Sequence, residues 1–76
     1  MKWNYAFVIC NEVKGILRPL SVNGRGVSER IRGELYNEFA EELGQQGWEL
    51  ISYETNPLAA INGSNVVTMV FKRPSP

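Results

Sequence analysis

Glu42-Leu43-Gly44-Gln45-Gln46-Gly47-Trp48-Glu49-Leu50-Ile51 records a helix ending and a strand starting within a few residues. Leu43 closes an apolar stripe at helical spacing. Gly44 and Gly47 supply backbone freedom where the helix must stop, and Trp48, Leu50 and Ile51 open a β-prone run. Upstream, Ser28 is a good N-cap with Glu29 in the first turn, and Ile31, Leu35, Phe39 and Leu43 recur at four-residue spacing. This pattern predicts one amphipathic helix over about 28–44. Tyr36 and Ala40 widen its buried stripe, Glu34, Asn37, Glu38, Glu41 and Glu42 face water, and Arg30 to Glu34 offers an i,i+4 pair. Gly33 costs such a helix up to about 1 kcal/mol relative to alanine.

Three further stretches read as strands. Residues 3–10, from Trp3 to Cys10, are aromatic and β-branched, with Trp3, Tyr5, Phe7 and Ile9 on one side and Asn4, Ala6, Val8 and Cys10 on the other. Residues 48–55 and 65–73 form a second and third strand, joined through Asn56-Pro57 and a tight turn at Asn62-Gly63, with 58–61 able to continue the second strand. Residues 11–27, punctuated by Gly15, Pro19, Asn23-Gly24 and Gly26, read as a loop, although Asn23-Gly24 also permits a short fold-back of the first strand. Pro74-Ser75-Pro76 is expected to fray. The expectation is therefore a single α+β domain over 1–76: a three-stranded antiparallel sheet in the order 1-3-2, with one helix packed on one face.

A chain of 76 residues hides only about 60% of its unfolded surface on folding, so it calls for reinforcement. Disulfides are excluded by a single cysteine, Cys10, and the absence of His and Asp leaves no plausible metal shell. Self-association remains. Every strand carries apolar residues on both faces, and one helix covers only one of them, so the expected contact surface draws on Trp3, Tyr5, Phe7, Ile51, Tyr53, Val67, Met69 and Phe71.

The charges bound the remaining classes. Eight basic residues balance eight glutamates, so the global positive field that drives nucleic-acid binding is missing, and no nucleic-acid partner is expected. No stretch approaches the length of a membrane span and no secretory leader is legible, which points to a cytoplasmic protein without a membrane partner.

An N-terminal Trp-Asn-Tyr strand, the run Leu43-Gly44-Gln45-Gln46-Gly47-Trp48-Glu49-Leu50-Ile51 and the ending Phe71-Lys72-Arg73-Pro74 together resemble a small bacterial family catalogued as domain of unknown function 4177. The resemblance spans nearly the whole chain and rests most specifically on Gly47-Trp48-Glu49-Leu50. It implies a compact bacterial strand-helix-strand-strand domain and transfers no catalytic residues. The 11–27 connection departs from it.

Three chemical constellations stand out. Asn23, Gly24, Arg25 and Gly26, followed by Ser28 and Arg30, place backbone amides and two cations just ahead of a helix, in the manner of a small-anion site, but their spacing is that of no phosphate-binding fingerprint. Cys10 lacks a histidine to act as its base, and a buried structural thiol is the simpler reading. Glu49 and Glu54 fall on opposite faces of a regular strand, which argues against paired acid/base chemistry. No cofactor is implied, and no catalytic set of residues emerges. The functional expectation is a non-catalytic, homo-oligomeric interaction or structural domain using the helix-free sheet face, with a small-anion or ligand-binding module at the glycine/arginine loop as the alternative.

Overall fold

A computed structural model describes residues 2–55 and 65–75. Its strands are β1 (Trp3–Val13), β2 (Ile16–Val22), β3 (Arg25–Gly26), β4 (Glu49–Thr55) and β5 (Val66–Pro74). Between β3 and β4 lie two helices, α1 (Glu29–Arg32) and α2 (Tyr36–Gln45). The sheet is five-stranded and antiparallel in the order β3-β2-β1-β5-β4, which replaces the expected three-stranded sheet with one helix.

The additional strands come from the 11–27 segment. The first strand runs on to Val13 and turns through Lys14 and Gly15, with φ of 52° and 80°, so that Val13 faces Ile16. A second turn, through Asn23 and Gly24 with φ of 51° and 81°, sets Val22 opposite Arg25. Both pairs of central residues lie in the left-handed region that two-residue hairpin turns of the type I′ family require. Asn-Gly advertises such a turn. Lys-Gly does not, because lysine gains nothing from the left-handed conformation.

The expected continuous helix is interrupted after Arg32. Gly33 caps α1 with φ −80° and ψ −9°, and Leu35 is extended with ψ 151° before α2 begins. The break is stitched to β2. The Arg18 guanidinium donates to the carbonyl oxygens of Gly33 and Glu34, and Arg32 donates to those of Arg18 (3.3 Å) and Pro19 (2.9 Å). Carbonyls at the end of a helix have no partners within it, so the Arg18 guanidinium satisfies two that a longer helix would have satisfied internally, while Arg32 ties α1 to the β2 backbone. Glu38 then accepts the Leu35 N–H at 2.8 Å, starting α2. Leu35 leaves the apolar stripe and is 38% exposed, while Phe39 and Leu43 stay buried.

The helices cover one sheet face. Beneath them register sets Ala6 opposite Phe71, Val8 opposite Met69 and Cys10 opposite Val67, and all six are buried. Small residues of β1 thus sit beside large ones of β5, filling the layer without overpacking it. Ile31, Tyr36, Ala40 and Trp48 close over this core. The C-terminal end is also ordered as far as Ser75, contrary to the expected fraying. Pro74 lies opposite Trp3, and Ser75 N–H donates to the Lys2 carbonyl at 2.9 Å. The expected turn at Asn62-Gly63 and the strand continuation over 58–61 lie outside the described residues.

Candidate functional site: the open sheet face and an end cleft

The face away from the helices is built on β1. Trp3, Tyr5 and Phe7 form an aromatic row that is 39%, 47% and 51% exposed. The register places Pro74, Lys72 and Val70 opposite them on β5. The Tyr5 and Phe7 rings lie 6.4 Å apart at 31°, and the Lys72 ammonium sits 4.3 Å from the Trp3 ring centroid. A cation over the indole face is attracted by the ring quadrupole and holds the ring flat on the surface.

Asn23 stiffens this row from the side. Its backbone N–H donates to the Phe7 carbonyl (2.9 Å), its Oδ1 accepts the Phe7 N–H (2.8 Å), and its Nδ2 donates to the Tyr5 carbonyl (3.3 Å). The carboxamide therefore continues the ladder of β2 past Val22 along β1 and fixes the backbone that carries the two rings.

Register divides the eight residues expected at the contact surface. Trp3, Tyr5 and Phe7 are on the open face. Val67, Met69 and Phe71 are 2%, 1% and 1% exposed and belong to the core beneath the helices. Tyr53 lies opposite Met69, on the helix side, and its ring packs against that of Tyr36, tilted by 46° with centroids 6.1 Å apart. Ile51, 45% exposed, sits at an irregularity of β4 where the register shifts between Leu50 and Ser52. That shift also overturns the expectation for the two β4 carboxylates. Glu49 lies opposite Lys72 and Glu54 opposite Thr68, so both are on the open face.

The residues of the expected anion site are engaged elsewhere. The Asn23 carboxamide is spent on β1. Ser28 Oγ accepts the Ile31 N–H at 3.3 Å as an N-cap, and α1 is a single turn of four residues. Arg30 bridges Glu34 (2.8 Å) and Glu42 (3.4 Å). Gly24 belongs to the hairpin turn, while Arg25 and Gly26 are exposed in β3.

Among the described residues, three side chains titrate away from their ordinary ranges. Burial pushes the Cys10 thiol up to about 11, partly offset by the Arg32 guanidinium. Desolvation raises the Glu34 carboxyl, and the neighbouring Glu42 carboxylate adds to this while Arg30 opposes it. The Tyr53 phenol is raised by desolvation, then by Tyr36 and Cys10. A thiol held protonated is a poor nucleophile, which agrees with a structural role for Cys10.

Sequence reasoning gave no sign of a cleft. On the helix side, at the end of the sheet near the start of α2, a cleft of about 370 Å³ is lined by Glu12, Gly15, Leu17, Tyr53, Thr55, Asn65, Val66 and Val67. Part of its wall, Glu12 opposite Leu17, is created by the unforeseen β1–β2 hairpin.

No family model, curated protein or solved structure matches this chain. The functional reading therefore rests on the residues and their geometry. Among the described residues, no helix is long and apolar enough to cross a membrane.

Proposed function

We propose that this chain is a non-catalytic self-association module whose open sheet face packs against the same face of a second copy. The observation that carries the reading is the row Trp3, Tyr5 and Phe7, exposed on the side of the sheet that the helices leave uncovered. Side chains of this size gain most by leaving water, and aromatic residues are enriched where interfaces bury surface.

Dimensions and charge agree. The molecule measures 41 × 26 × 18 Å, a slab two layers thick. Its broad face is large enough to supply the roughly 800 Å² per partner of a standard interface. The chain carries no formal net charge, so copies do not repel one another globally. The open face holds both signs, Lys72 on β5 and Glu49 and Glu54 on β4, as a self-complementary twofold contact requires. Kinship with the family catalogued as domain of unknown function 4177, and residence in the cytoplasm, belong to the same proposal. They are supported by the Gly47-Trp48-Glu49-Leu50 motif and by the lone reduced-type cysteine respectively.

Light scattering coupled to size-exclusion chromatography, over a wide range of protein concentration, tests the reading. A dimer or larger species that persists on dilution and collapses to the monomer in Phe7→Glu is the expected result. A wild-type protein that remains monomeric at high concentration overturns it.

A further inference from the structure

We propose that the cleft at the end of the sheet is a binding site for a small organic cation with an apolar body, of the size of an arylalkylamine. It lies on the helix side of the sheet and is independent of the self-association reading. Leu17 and Val67 give it apolar walls on the helix side, and the exposed Tyr53 ring flanks it. Its volume of about 370 Å³ is at the small end of the range for ligand pockets, which suits a single ring or a short branched chain.

Charge selects the ligand class. Glu12 is the charged side chain among the lining residues, and the other polar contributors, Thr55, Asn65 and the Tyr53 hydroxyl, are neutral in the physiological range. The carboxylate is held in place. Asn65 Nδ2 donates to Glu12 Oε2 at 2.9 Å, and the Glu12 backbone N–H donates to the Asn65 carbonyl at 3.0 Å. A carboxylate oriented by a neighbour, beside apolar walls and with no basic residue among the described lining residues, complements an ammonium group and repels an anion. The hydroxyl of Thr55 can accept a further ammonium proton.

The test uses 2-phenylethylamine as probe, with 2-phenylethanol and 3-phenylpropionate as matched neutral and anionic controls, titrated into ¹⁵N-labelled protein. The expected result is saturable amine binding with shift changes centred on Glu12, Gly15, Leu17, Thr55 and residues 65–67. The alcohol binds about fivefold more weakly, as an exposed ion pair predicts, and the acid does not bind. In Glu12→Gln the preference for the amine over the alcohol disappears while the mass in solution is unchanged, which separates this site from the open face. Equal binding of amine and alcohol to the wild type, absence of saturation, or shifts centred away from the cleft would each overturn the proposal. The wild-type comparison stands even where the variant is poorly folded.

Discussion

Cys10 shows how one buried atom sets both reactivity and a pH limit. Its thiol is fully buried and pushed from 9.0 up to about 11, so the native state binds that proton more tightly than the unfolded chain does. The stability this contributes is complete below pH 9 and is lost as the pH rises toward 11. We expect a maleimide to label the native protein only at the rate of unfolding at pH 8, and Cys10→Ala to lose stability less steeply above pH 9. Rapid labelling of folded protein would show that the thiol is accessible. Glu34 works in the same sense at lower pH. Its carboxyl is raised first by desolvation and then by Glu42, and its Oε2 is buried without a hydrogen-bond partner. Charging it on folding is unfavourable, so this contribution to stability is present below the ordinary carboxylate range and lost as the pH rises through the folded value. Glu34→Gln is therefore expected to be more stable than the wild type near neutral pH, with the difference shrinking to nothing near pH 4 in paired thermal melts.

The two hairpins and the broken helix belong to the element scale, where local propensity met tertiary contacts with mixed results. Lys14 occupies the first central position of a tight turn with φ 52°, a conformation in which lysine is strained and asparagine is at ease. Lys14→Asn is expected to raise stability by about 0.5–1 kcal/mol in denaturant titration, because the turn geometry is unchanged and only its local cost falls. A destabilised variant would mean that the lysine makes a contact worth more than the strain. The helix break has the opposite logic. The 28–44 pattern is periodic enough for a single helix, yet Arg18 and Arg32 draw the chain onto β2 at Gly33 and Glu34, and the bonds they make across the layers outweigh one further helical turn. Nothing in the spacing of the helix residues shows that contact, since Arg18 lies 15 residues from Gly33 along the chain.

For the whole molecule, two substitutions separate core from surface. Met69→Lys places an ammonium where the side chain is 1% exposed and is expected to abolish folding, at a cost above about 4 kcal/mol. Phe7→Glu sits where the ring is 51% exposed and is expected to stay within about 0.5 kcal/mol of wild-type monomer stability, while removing self-association. Circular dichroism and solution mass read the two effects apart, and a Phe7→Glu chain that folds yet stays oligomeric would move the interface off this face. The sequence by itself determined the α+β class, the α2 stripe of Phe39 and Leu43, the helix-to-strand passage at Gly47 and Trp48, and the presence of two apolar strand faces. Each of these is written in residues only a few positions apart, where backbone period and turn chemistry act directly. Only the tertiary structure decided which face the helices cover, that β1 extends to Val13 and pairs with β2, and that Glu12 stands beside Leu17 at the mouth of a cleft. Strand parity is the same for either choice of face. It is settled when Ala6, Val8 and Cys10 meet Phe71, Met69 and Val67 under one helix layer, because that pairing of small with large side chains fills the space and leaves the aromatic row of β1 outside.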